Sequence, residues 1–102
     1  MTSTHPRHRL DPVVHSPIRL SVLAVLVEVD EAEFRFVAET VDVNAATLSK
    51  QATILDDAGL IRIRKGHVGR RPRTWLAMTA EGRRRFGEYL EALRAITDRP
   101  AR

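Results

Sequence analysis

No cysteine occurs in the 102 residues. That absence excludes a disulfide framework, a cysteine-based zinc site, a thiol redox sensor and a cysteine nucleophile. No apolar run approaches the roughly 20 residues that span a bilayer; the longest covers only 22–27. The opening MTSTHPRHRL is basic and polar and lacks the apolar stretch of a secretory leader, so a cytoplasmic location and no membrane partner are expected. His15 and His67 lie far apart, and His5 and His8 fall in a terminal stretch without apolar pattern, so no metal site is expected. There is no phosphate-cradling glycine loop, and Ser16, Ser21 and Ser49 sit in capping or helical settings rather than on a nucleophile elbow. Glu28, Asp30, Glu31 and Glu33 fall on a connector expected to be exposed. Neither an enzyme nor a cofactor is expected. Acid is also missing locally, since no Asp or Glu occurs over 58–80.

What is present fits one small globular domain, with 43% hydrophobic and 29% charged residues. The net charge of +4 and the sequence pI of about 10.6 favour an anionic partner without naming one. Residues 1–9, with His5, Arg7, His8 and Arg9, read as a flexible basic arm, and 10–98 as the folded domain.

Asp11-Pro12 and Ser16-Pro17 each pair an N-cap residue with a proline at the first helical position. The first opens a short turn over 12–15. The second opens a helix over about 17–28, apolar on most sides and so expected at the centre of the core. Phe34-Arg35-Phe36 supplies a short strand or anchors the next helix, expected over 36–41 with Phe36, Val37 and Val41 on its core face. Asp42 stands where the chain must turn and tolerates a left-handed conformation. Asn44 caps a helix over 45–58 with Leu48, Ala52 and Leu55 as its apolar stripe, and Gly59 ends it. The period then changes to two. Strands are expected over 60–64 and 73–78, joined by a loop over 65–72 marked by Gly66, Gly69 and Pro72. Trp75 is expected to anchor the second strand. Thr79 caps a last helix running to about 97, with Phe86, Tyr89, Leu90, Leu93 and Ile96 on one face.

That order is α+β, mainly α: a winged helix-turn-helix with a two- or three-stranded wing and a C-terminal dimerisation helix over about 80–97. In such a fold a second helix is held clear of the body and enters a major groove. Thr47, Lys50 and Gln51 have side chains suited to base edges, with Asn44 and Ser49 in support. Arg62, Arg64, Lys65, His67, Arg70, Arg71 and Arg73 form a basic wing suited to phosphate or a narrow minor groove. The expected partners are double-stranded DNA and a second copy of the chain. A long amphipathic helix has little of so short a chain left to cover it. Two other functions stay open: a protein-interaction module on the same fold, and a regulator that needs a small-molecule effector.

Three stretches carry a family resemblance: LDPVVHSPIRLSVLAVL, FRFVAETVDVNAATLSK and LDDAGLIRIRKGHVGRRPRTWLAMTAEGRRRF. Over roughly 10–90 the chain resembles the small winged-helix transcriptional regulators related to the MarR, PadR and ArsR groups. The most specific part is a glycine, a strand, a Lys-Gly wing, an arginine-rich return and a Thr-x-x-Gly-Arg helix start. The resemblance implies operator binding by a homodimer. Its interface would draw on Leu10 and Val14 near the N-terminus as well as the last helix. The chain departs from the pattern at Ala52, Thr53, Ile54, Asp56 and Asp57, where relatives often carry further basic residues, and this shifts weight onto the wing.

Overall fold

The computed structural model describes residues 5–98. Residues 1–4 of the expected basic arm, and the tail beyond Asp98, lie outside that range. Pro6–Arg9 form a 3-10 turn packed along the last helix, so this part of the arm is structured. The cause is local: Pro6 presets a helical φ, and the His5 ring accepts from the Arg7 amide at 3.1 Å. Asp11 then turns the chain, its Oδ1 accepting from the Val13 amide at 3.0 Å.

Helix α1 spans Pro17–Leu26. Ser16 stands at its N-cap with extended backbone, but its hydroxyl makes no capping bond, so the fixed φ of Pro17 sets the start. Val22, Leu23 and Leu26 are fully buried, as expected of the central helix. Past its end Arg83 donates to the carbonyls of Val27 and Val29 at 3.0 and 3.3 Å.

Strand β1 is Ala32–Glu33, and helix α2 follows directly over Phe34–Val41. The strand thus lies in the acidic connector rather than at 34–36, and α2 starts two residues earlier than expected. Phe34, Val37, Ala38 and Val41 then share one face at i, i+3, i+4 and i+7. Val37 and Ala38 are buried, while Phe36 falls on the other side and is 52% exposed, which corrects its assignment to the core. Asp42 ends α2 in the left-handed region at φ 63°, ψ 52°. Helix α3 covers Ala45–Asp57, with its Leu48, Ala52 and Leu55 stripe buried and Gly59 following at φ +79°.

Strands β2 (Ile61–Val68) and β3 (Arg71–Met78) pair antiparallel from Ile61 opposite Met78 to Val68 opposite Arg71. The region 65–72, expected as loop, is therefore almost all strand. Only Gly69 and Arg70 turn the chain, and Gly69 has φ +64°, the positive first central φ of a type II′ hairpin turn. Gly66 serves a different purpose, because a Cβ there would lie 3.2 Å from the Trp75 ring. β1 pairs with β3 only at Leu76 and Trp75, giving a three-stranded sheet in the order β1-β3-β2.

Helix α4 spans Ala80–Thr97, capped by the Thr79 hydroxyl, which accepts from the Gly82 amide at 2.9 Å. Thr79 also donates through Oγ1 to the Gly59 carbonyl at 2.6 Å and through its amide to that of Leu60 at 3.0 Å. The first turn of α4 thus rests on the backbone that leaves α3. Buried side chains of α1, α2, α3, β2, β3 and α4 meet in one core. Among the described residues no helix is long and apolar enough to cross a membrane.

Two glycines of α4 give opposite expectations. A Cβ on Gly82 would sit 2.0 Å from the Leu60 carbonyl oxygen, whereas one on Gly87 meets nothing within 4 Å. Gly82→Ala should destabilise by about 2 kcal/mol or more, since backbone must move, lowering Tm by roughly 8–16 °C. Gly87→Ala should instead stabilise by up to about 1 kcal/mol through helix propensity. Thermal melts of the two variants side by side check the packing; equal effects would contradict it.

Candidate nucleic-acid interface

Three features fix the N-terminal end of α3. The left-handed Asp42 reverses the chain, the Val43 amide bonds the Ala38 carbonyl at 3.0 Å, and Asn44 Oδ1 accepts from the Thr47 amide at 2.8 Å. With Leu48, Ala52 and Leu55 inside, the exposed residues of the first turns are Asn44, Ala45, Ala46, Ser49, Lys50 and Thr53. Sequence reasoning missed Ala45, Ala46 and Thr53. A helical wheel anchored on the buried stripe finds them, whereas scanning for long polar side chains passes over them.

Thr47 and Gln51 lie on the flank and are half-buried. Gln51 Oε1 accepts from Arg19 Nη1 at 2.7 Å, and Arg19 also donates from Nε to the Val13 carbonyl at 2.6 Å. A guanidinium only donates, so this contact fixes the amide with its oxygen toward α1 and its nitrogen away. The oxygen that a bidentate pair with adenine requires is therefore already engaged.

The strand register divides the wing residues between two faces, since cross-strand partners share a side. Ile63, Lys65 and His67 lie with Leu76, Thr74 and Pro72 on the inner face. Arg62, Arg64, Gly66 and Val68 lie with Ala77, Trp75, Arg73 and Arg71 on the outer face. A groove of about 270 Å³ runs between the inner face and α3, lined by Ser49, Ala52 and Thr53 on one side and Ile63, Lys65 and Thr74 on the other. It joins helix and wing into one surface. Val68, 56% exposed beside the turn, is an apolar residue at the wing tip that the sequence reading did not single out.

Not every wing cation is available. Arg64 forms a two-point ion pair with Glu31, at 3.0 and 2.6 Å, and its guanidinium lies 4.1 Å over the Trp75 ring. The pair holds the Glu31 carboxyl below its ordinary value. Arg73 meets Glu33 at 2.5 Å. Trp75 is covered by Arg64 and Gly66, which fits its expected anchoring role. Among the described residues Lys50, Arg62, Lys65, Arg70 and Arg71 take part in no ion pair.

The N-terminal segment closes over α4. Asp11 takes a fork from Arg85 at 2.7 and 3.0 Å, and Arg85 also donates to the Ala58 carbonyl at the end of α3. The His15 ring and the Tyr89 hydroxyl share a hydrogen bond of 2.8 Å. Val14 is fully buried, and Phe86 and Tyr89 are 6% and 2% exposed, all inside this one chain. Within one chain these residues, expected at a partner interface, are thus already buried, and the N-terminal segment meets α4 at Arg85 and Tyr89. Leu10, Leu90, Leu93 and Ile96 are only half-buried.

A helix-turn-helix followed by a basic hairpin that shares a groove with its second helix defines the winged-helix class of protein. The comparisons agree. Residues 18–97 match the model of the winged helix DNA-binding domain, and the chain belongs to that family. It is 24% identical over 78 residues to an uncharacterized protein of Methanocaldococcus jannaschii, covering 76% of this chain and 85% of that one. Its fold is similar to that of a transcriptional regulator homologue from Pyrococcus horikoshii, with TM-score 0.82, 24% identity, and 90% and 92% of the two chains covered. It is also similar to the PcaV regulator of Streptomyces coelicolor, at TM-score 0.74 and 24% identity, where 90% of this chain spans 64% of that one. The DNA-bound regulator MosR of M. tuberculosis gives TM-score 0.70 at 22% identity, with 90% and 65% covered.

The Arg85 hydrogen bonds hold the Asp11 carboxyl below its ordinary value of 3.8, outweighing partial burial. Because the folded state favours the charged form, the stability from this pair is present in full above 3.8 and is lost as pH falls below it. The Tm difference between wild type and Asp11→Asn should be constant near neutrality and shrink on acidification below pH 3.8. A difference independent of pH in that range would assign the effect to packing instead.

Proposed function

We propose that this protein binds double-stranded DNA sequence-specifically as a homodimer and regulates transcription. The observation that carries the reading is the shared groove, in which Lys65 of the wing faces Ser49 and Thr53 of α3. An exposed helix face beside an unpaired basic strip matches a duplex, whose base edges lie between two phosphate backbones. In this reading Lys50 donates to guanine, Ser49 and Thr53 bond base edges, and Ala46 offers a methyl to thymine. Asn44 and Thr47 secure the entering turn, and Gln51 presents its amide nitrogen from the flank. Arg62, Lys65, His67, Arg70 and Arg71 hold phosphate or the minor groove.

The homodimer reading rests on Leu90, Leu93 and Ile96 of α4, with Leu10, because these apolar side chains remain half-exposed in one protomer. Two copies would set two recognition helices about 34 Å apart, on successive major grooves. Double substitution of Leu90 and Leu93 by Glu should yield a folded monomer in sedimentation velocity, with weakened DNA binding. A wild type that already sediments as a monomer would remove the dimer from the proposal.

Anisotropy titrations against a randomised duplex pool and the DNA upstream of the coding region, over a salt series, test DNA binding itself. Lys50→Ala should cost about 1–3 kcal/mol, mainly at one base position. Replacing Arg70 and Arg71 together by Ala should weaken all duplexes alike. It should also reduce the slope of log K against log salt by about 1.8, or 0.9 per lost phosphate contact. Absence of binding to every duplex at low salt would overturn the function.

A further inference from the structure

The wing carries Arg62, Arg64, Lys65, Arg70, Arg71 and Arg73 in a stretch free of acid, yet the fold supplies acid from elsewhere. In Glu31-Ala32-Glu33 the middle side chain is 7% exposed and belongs to the core. Strand alternation therefore turns Glu31 and Glu33 to the opposite, outer face of the sheet. There each finds one wing arginine: Glu31 takes Arg64 at two points, and Glu33 takes Arg73. Neither arginine is loose. Arg64 is stacked on Trp75, and Arg73 has its Nε buried without a partner.

Carboxylate and phosphate occupy the same edge of a guanidinium with the same two-point geometry. An arginine that keeps its glutamate therefore neutralises no phosphate and releases no counterion. We propose that Glu31 and Glu33 are specificity-determining residues, internal competitors that withhold Arg64 and Arg73 from the DNA backbone. The inference rests on the DNA-binding reading above. Backbone contacts add affinity for every sequence alike, whereas base contacts discriminate. Withholding two cations lowers non-specific affinity while leaving the α3 contacts untouched, so the ratio of specific to non-specific binding rises. Arg62, Lys65, Arg70 and Arg71 remain as the working cations of the wing.

The test compares salt slopes on a randomised duplex for wild type, Glu31→Gln, Glu31→Gln/Glu33→Gln and a matched control, Glu28→Gln. Glu28 is exposed, lies on the same connector and makes no ion pair among the described residues. The single variant should steepen the slope by about 0.9 and the double by about 1.8. Glu28→Gln should leave it unchanged. Arg64→Gln should have almost no effect on the wild-type slope, but should cancel the gain in the Glu31→Gln background. Exposed ion pairs add little to stability, and melts of each variant check that the fold is retained.

If Arg64→Gln flattens the wild-type slope by a full contact, Arg64 already serves the backbone and the proposal fails. It fails equally if Glu28→Gln matches Glu31→Gln, since bulk charge then explains the gain. Wild type that binds DNA with slopes unmoved by either glutamate change overturns this inference alone. Wild type and double variant that both ignore DNA overturn the function with it.

Discussion

The relative placement of α3, the wing and α4 depends on one close backbone contact, the approach of Gly82 to the carbonyl of Leu60. Leu60 follows the end of α3, with its amide bonded to Leu55 and its carbonyl accepting from Thr79. Where these strands of chain cross, the exit of α3, the base of the wing and the start of α4 are fixed together. Thr79 adds a second bond, to Gly59, and Arg85 a third, to Ala58. Three helix-to-backbone links within a few residues, one from the Thr79 amide and two from the Thr79 and Arg85 side chains, fix α3, the wing and α4 relative to one another.

Charge placement follows from the same economy of parts. A net charge of +4 says little about function. The fold sorts it: paired cations collect on the outer face of the sheet and on α4, where Arg84 bridges Glu81 and Glu88. Its unpaired wing cations lie on both faces and the turn, Lys65 inside, Arg62 and Arg71 outside and Arg70 at the tip, with Lys50 on α3. The two paired wing arginines, Arg64 and Arg73, both lie on the outer face because Glu31, just before β1, and Glu33 within it meet them there.

Much of this was legible in the sequence because its causes are local. Asn44 and Thr79 cap the helices that follow them, and Asp42 and Gly59 take the left-handed conformations their chemistry allows. The illegible parts are those that depend on register or on distant chain. Phe36 looks like core until the start of α2 is known, and one shift of two residues turns it outward. Gly66 and Pro72 read as loop residues, but cross-strand pairing and the Trp75 ring make strand of them. Tyr89 looks unpartnered because nothing near it in sequence predicts that His15 will return to meet it, and Phe86 because its place in the core depends on distant chain. The Gln51 bond to Arg19 spans two helices, and no spacing rule exposes it.

The brevity of β1 has a geometric consequence. Only the rows at Leu76 and Trp75 are three strands wide, and beyond them the hairpin is a two-stranded ribbon. Such ribbons are more strongly twisted than wider sheets. The wing is rooted in the core through Ile61 and Ile63, and beyond Trp75 its strands pair only with each other toward Gly69.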